Sequence, residues 1–121
     1  MVRALFDTNV LIDFLNRVPE ARHELERYSD KAISLVTWIE VMVGAEGDLD
    51  LPTRAFLNGF EVIAIDKDVA ERAVSLRRTH RIKLQDAVIW ASAQANGMLL
   101  VTRDTKDFPS DDPGIRMPYR L

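Results

Sequence analysis

Residues 2–17 read VRALFDTNVLIDFLNR, and the change of period inside this stretch decides the fold. Residues 2–6 form a short apolar run that stops abruptly at Asp7, the pattern of a buried strand. From Thr8 onward Val10, Leu11, Phe14 and Leu15 recur on one face of a helix running to residue 17. A strand buried on both faces and followed at once by an amphipathic helix is the start of a crossover unit in a parallel sheet.

The same alternation continues along the chain. Pro19 opens a second helix to about residue 28, because proline is tolerated in a first turn. Residues 32–36 (AISLV) are the next strand, and Thr37 with Glu40 three residues on has the spacing of a capping box for the helix that follows. Gly44 and Gly47 weaken that helix; residues 46–52 read as a polar linker and residues 51–58 as a short helix. Residues 60–65 (FEVIAI) are a third strand, and Asp66 caps a long helix to about His80. A further helix over residues 84–96 ends at Asn96-Gly97, a pair suited to a left-handed turn. Residues 98–101 (MLLV) are a fourth strand, residues 104–113 a loop, and residues 115–117 a last edge strand. The expectation is one α/β domain over residues 1–121, with a mainly parallel sheet of four to five strands flanked by helices on both faces.

Composition agrees. With 121 residues, 47% hydrophobic and 29% charged, the chain is globular and can bury about two-thirds of its unfolded surface. The absence of cysteine excludes disulfides, zinc–thiolate sites, iron–sulfur clusters and thiol catalysis. His23 and His80 are too far apart in sequence to suggest a histidine-rich metal site. The longest apolar run is far short of a membrane span, and Asp7 and Asp13 interrupt any signal-like segment, so the chain reads as cytoplasmic with no membrane contact. A net charge of −3 argues against a simple basic nucleic-acid binder, unless the acids gather in one pocket around metal ions.

The placement of the acids favours that exception. Asp7 directly follows the first strand, Asp104 follows the fourth in Thr102-Arg103-Asp104, Glu40 starts the helix after the second, and Asp86 opens the helix before the fourth. Ligands of open α/β sheets bind beyond the carboxyl ends of the strands. Taken singly, each acid has a plainer explanation: Asp7 as a helix cap, Glu40 as half of a capping box, Asp86 beside the positive end of its helix. Four converging carboxylates repel one another, and hard oxygen donors select magnesium or manganese. Asp86 and Glu40 also lie among apolar neighbours, where an idle carboxylate is costly.

In these strings the chain resembles the PIN-domain family of metal-dependent ribonucleases, and within it the VapC-type toxins. The resemblance runs through Phe6-Asp7-Thr8-Asn9-Val10-Leu11-Ile12-Asp13, Ile39-Glu40-Val41-Met42-Val43-Gly44, Gln85-Asp86-Ala87-Val88-Ile89-Trp90-Ala91-Ser92-Ala93 and Thr102-Arg103-Asp104-Thr105-Lys106-Asp107-Phe108. It covers essentially the whole chain in order, including the tail from Pro113 to Tyr119. Two positions depart from it: Gln85 stands where many relatives have proline, and Trp90 is bulkier than the residue often found there.

The resemblance implies an endoribonuclease that uses metal-activated water, with Asp7, Glu40, Asp86 and Asp104 as its acidic set and one or two Mg2+ or Mn2+ ions as cofactor. Asp7 and Asp86 are the expected direct ligands; Asp104 is expected to bind a second ion or act through water, and Glu40 to position water or support the ligands. Asp107 is a weaker candidate, since a loop aspartate is often simply solvated. Thr8, Asn9 and Thr102 could support the ligands, although turn and cap roles fit them equally. Arg77, Arg78, Arg81 and Lys83, just before Asp86, and Arg103 and Lys106, around Asp104, are candidates to steer RNA, against the alternative of a solvated face. Trp38 and Trp90 belong to the core rather than to base stacking. A VapB-type antitoxin, a homodimer and an indirect link to DNA through the antitoxin are further implications of the resemblance. Alternatives are a PIN nuclease of RNA processing and a PIN-fold binding module. A haloacid-dehalogenase-like phosphatase is disfavoured, because Asn9 stands where a second aspartate is needed.

Overall fold

The computed structural model describes residues 2–121. Five parallel strands, β1 (Ala4–Phe6), β2 (Lys31–Ser34), β3 (Glu61–Ile63), β4 (Leu99–Val101) and β5 (Ile115–Arg116), form one sheet in the order β3-β2-β1-β4-β5. Helices α1 (Thr8–Leu15) and α2 (Pro19–Glu26) link β1 to β2, while α3 (Leu35–Val43) and α4 (Asp50–Leu57) link β2 to β3. The β3-to-β4 connection carries α5 (Lys67–His80) and α6 (Leu84–Ala95). The order therefore runs one way from β1 through β2 and β3 and the other way from β4 to β5. That reversal opens a crevice between β1 and β4, where ligands bind in such sheets.

The pleat explains the two-sided core. Leu5 of β1 joins Ala32, Leu100, Trp90 and the buried faces of α5 and α6. Its neighbours Ala4 and Phe6 face the other way, with Ile33 and Val101, onto α1 to α4. Phe6 is wholly buried and meets Tyr28 and Phe60 edge-on at 5.7 and 6.2 Å between centroids. Burial of such a side chain contributes about 2–3 kcal/mol, so the first strand anchors both layers. Trp90 is buried between His80 and Phe108. Trp38 packs half-buried against the other layer with the Arg54 guanidinium 5.4 Å from its ring centroid.

Local capping corrects several boundaries. The second strand ends at Ser34, whose Oγ accepts a bond from Val36 N at 3.2 Å and caps α3. Thr37 is therefore not the cap expected from the sequence: it lies inside α3, fully buried, and Glu40 falls in the second turn. A hydroxyl already at the strand end competes first for the free N–H groups. The expected linker before α4 folds as a 3-10 turn over Gly47–Leu49 that runs directly into the helix. Asp66 caps α5 as expected, with Val69 N donating to its Oδ1 at 2.9 Å. After α6, Gly97 adopts the left-handed backbone anticipated for Asn96-Gly97, with φ of 62°. Helix α1 stops short of Arg17, which itself takes φ of 63°. Among the described residues, no helix is long and apolar enough to cross a membrane.

Candidate active site

Asp7 is the first residue beyond β1, and its N–H donates to Val101 O of β4 at 2.9 Å. This places its carboxylate over the crevice. Oδ1 accepts from Thr8 N at 2.7 Å, capping α1, and Oδ2 accepts from the Thr102 hydroxyl at 2.8 Å. Capping and site roles thus coexist in one side chain. Thr102 is fully buried, and its Oγ1 also accepts from Asp104 N at 3.0 Å, so a single hydroxyl sets two acids. Asn9 completes this ring: Nδ2 reaches Asp7 Oδ2 at 3.3 Å, and Oδ1 accepts from Arg103 N at 3.3 Å.

Asp7, Glu40, Asp86, Asp104 and Asp107 line one pocket together with Thr8, Asn9, Lys83 and Arg103. Glu40 comes from α3, and its Oε1 accepts from the Thr8 hydroxyl at 2.7 Å. That hydroxyl also lies 2.9 Å from Thr37 Oγ1, so Glu40 leans toward α1 instead of reaching back as a capping-box partner. Asp86 is in the first turn of α6. One carboxylate oxygen each from Asp86, Asp104 and Asp107 lie within 4.8 Å of one another. Asp107 is thus grouped with the strand-end acids by the turn that residues 104–107 make. Asp104 Oδ1 accepts from Lys106 N at 2.8 Å and Asp107 N at 3.2 Å, winding the loop around the Asp104 side chain.

The electrostatics show crowding of like charge. Burial pushes the Asp7 carboxyl up to about 6 against the bonds from Thr102 and Thr8, and the charges of Asp104 and Glu40 push the same way. Burial likewise raises Asp86 to about 7, reinforced by the Asp7 charge and by Asp107. Both groups would ionise readily if a cation entered the pocket. Three hard oxygen donors within 4.8 Å of one another, in no ion pair among the described residues, fit a divalent ion such as magnesium or manganese.

The basic candidates divide into distinct settings. Lys83 lines the acidic pocket, and Arg77, Arg78 and Arg81 line a shallow neighbouring groove with Val74 and Leu84. Arg77 is partly committed, since its Nη1 donates to Ile82 O at 2.6 Å. Lys106 is exposed on the loop. Arg103 is different again: its guanidinium forms a two-pronged bond with buried Asp13, with Nη2 3.0 Å from Oδ1. Neither Asp13 nor its second partner, Tyr119, is among the site residues expected from the sequence, where the one local signal is an aspartate three residues after Val10 on the apolar face of α1.

Comparison with known proteins matches this arrangement to the PIN-domain model over residues 4–110. The chain belongs to the PIN-domain family. A chain of a toxin–antitoxin complex from Klebsiella pneumoniae shares 48% identity with this PIN domain and superposes with a TM-score of 0.93. The match covers 98% of this chain and 99% of that one. DNA-bound VapBC from Salmonella typhimurium contains a chain of 24% identity and TM-score 0.78, covering 96% of each. FitAcB from Neisseria gonorrhoeae contains one of 23% identity and TM-score 0.79, covering 98% of this chain and 99% of that one. These two more distant likenesses establish the shared fold. No curated protein matches the sequence. The PIN domain therefore has a strong structural match to VapC-type toxins of toxin–antitoxin pairs, and its acidic pocket lies at the sheet's switch point.

Proposed function

We propose that this PIN domain is a metal-dependent endoribonuclease and the toxin of a toxin–antitoxin pair. The observation that carries the reading is the carboxylate group of Asp86, Asp104 and Asp107, in no ion pair among the described residues, beside Asp7 and Glu40, at the switch point of a PIN fold. In this reading Asp7, Asp86, Asp104 and Glu40 hold one or two Mg2+ or Mn2+ ions, and Asp107 joins them. A bound ion would lower the pKa of a water, making it a nucleophile toward an RNA phosphodiester at neutral pH, and would offset charge on the phosphoryl oxygens.

The remaining work falls to the chain. Asp7 and Asp86 would face a cation as carboxylates, and Thr8, Asn9 and Thr102 hold the Asp7 carboxylate in place. Glu40, oriented by Thr8, positions water or supports the ligands. Lys83 with Arg78 and Arg81, exposed and free of ion pairs among the described residues, offsets the repulsion between an acidic mouth and an RNA backbone. Arg77 and Lys106 contribute to the same field, and Arg103 does so only through the part of its charge that Asp13 leaves uncompensated.

The 48% identity to a chain of a toxin–antitoxin complex supports a VapB-type protein partner, which would cover the pocket and link the pair to DNA. The reading further comprises a cytoplasmic homodimer, with residues 1–121 acting as one domain. The test is cleavage of total RNA by purified protein with magnesium, with EDTA, and for Asp86→Ala. Discrete fragments that require the metal and vanish in the variant are expected. Cleavage that survives both EDTA and the substitution would overturn the assignment.

A further inference from the structure

Asp13 has side-chain exposure of 5% and does not line the acidic pocket, yet both of its oxygens are engaged. Arg103 takes them as a fork, through Nε to Oδ2 and Nη2 to Oδ1, the latter at 3.0 Å. The Tyr119 hydroxyl, from the irregular tail after β5, donates to Oδ2 at 2.7 Å. Burial and this bond to Asp13 raise the Tyr119 hydroxyl's pKa, keeping it a donor. A planar guanidinium forked onto a carboxylate fixes direction as well as distance.

What that direction controls is the backbone of the loop. Arg103 sits between Thr102 and Asp104, and its own N–H is held by Asn9 Oδ1 at 3.3 Å. With the backbone fixed at Asn9 and the side chain fixed at Asp13, residue 103 is anchored at two points on α1. Asp104 leaves that anchor directly, and the turn that brings Asp107 to Asp86 is wound on Asp104 Oδ1. We propose that Asp13, Arg103 and Tyr119 form a positioning clamp that holds the loop over residues 102–107 so that Asp104 and Asp107 meet Asp86. The proposal rests on the metal-site reading above.

The molecule contains its own control. Glu24 is equally buried, receives a fork from Arg116 at 2.6 and 3.0 Å, and is also bonded by a tyrosine, Tyr28, at 3.1 Å. That cluster ties α2 to β5 and contributes no residue to the acidic pocket. Loss of stability alone should therefore be common to both clusters, and loss of loop order should follow only the clamp.

The experiment compares Tyr119→Phe, Asp13→Asn and Glu24→Gln in the intact protein. Two readouts are taken: amide hydrogen exchange at Lys106 and Asp107 without metal, and the half-saturating Mn2+ concentration by calorimetry. Asp13→Asn should raise that concentration roughly tenfold, the usual effect of losing a ligand-orienting partner. Tyr119→Phe, which deletes one hydroxyl, should raise it less, and both should speed exchange at the two loop amides. Glu24→Gln should lower the melting temperature and leave both readouts at wild-type values. Unchanged readouts in both clamp variants, or an equal change in Glu24→Gln, would overturn the clamp. A wild-type protein that takes up no Mn2+ would sink the metal reading instead, and the exchange comparison would still decide the clamp.

Discussion

Two sets of buried carboxylates lie in this molecule, and they differ in what neutralises them. Asp13 and Glu24, 4% and 3% exposed, each receive a forked arginine and a tyrosine hydroxyl. Asp7 and Asp86, 4% and 9% exposed, receive hydroxyl and amide donors or other acids, and among the described residues no basic side chain bonds to either. Burial of an ion is tolerated when a counter-ion and hydrogen bonds repay desolvation. The first set is repaid within the chain and acts as fixed structure. The second is left in deficit at the crevice where the strand order reverses, and in the proposed function an incoming cation relieves that deficit. The position of arginine, more than the count of acids, separates scaffold from site.

The largest test of this contrast is functional. Asp7→Ala or Asp86→Ala should lower RNA cleavage by on the order of 10^3-fold, since each removes a carboxylate proposed to hold the ion that offsets charge on the reacting phosphate. Either variant should keep its fold, because removing one acid relieves its neighbours. Wild-type rates in both would show that the unpaired set is not the site.

A second test reads the same deficit through pH. Asp7 and Asp86 bind protons at about 6 and about 7 in the folded protein, above the ordinary 3.8 of a free aspartate. Between about pH 4 and 7 the folded state therefore holds more protons than the unfolded one, so its stability falls as pH rises. For fully enclosed Asp7 the displacement corresponds to roughly 3 kcal/mol. In EDTA, melting temperature should drop from pH 5 to pH 8. Asp86→Asn should flatten the curve, and Mn2+ should restore stability at the upper end by mass action. A metal-free melting temperature that climbs steadily through this range would contradict the unpaired pocket.

Much of this was legible in the sequence, for reasons that separate local from distant signals. The strands were readable because a parallel sheet buries both faces, giving unbroken apolar runs such as Ala4–Phe6 and Leu99–Val101. Asp7 and Asp104 were readable because a charged residue directly after such a run, or within three residues of its end, lies at the carboxyl edge of the sheet. Asp13 and Glu24 were passed over because their arginine partners are 90 and 92 residues away, beyond any local pattern. Their trace was a charge on an apolar stripe: Glu24 sits among buried Ala21 and Leu25, and Asp13 follows Val10 by one turn. Thr37 was misread for a related reason. Thr-x-x-Glu has capping-box spacing, and only the fold reveals that Ser34 caps the helix and that Thr8 takes Glu40.

The smallest effect belongs to the paired set away from the pocket, where the contrast can be sharpened most cleanly. Glu24→Gln keeps shape and an acceptor for Tyr28 but strips the charge that holds Arg116. Breaking a buried pair costs about 3–5 kcal/mol; here the Arg116 side chain is 35% exposed and can rehydrate, so about 1–2 kcal/mol is expected in urea denaturation. RNA cleavage should stay at the wild-type rate once the protein is folded, because the variant frees only the Arg116 side chain, while its backbone stays paired with β4 and keeps its carbonyl 3.0 Å from Thr102 N. A variant that lost activity without losing stability would mean that Glu24 communicates with the pocket, and that neutralisation by arginine is not what divides the two sets.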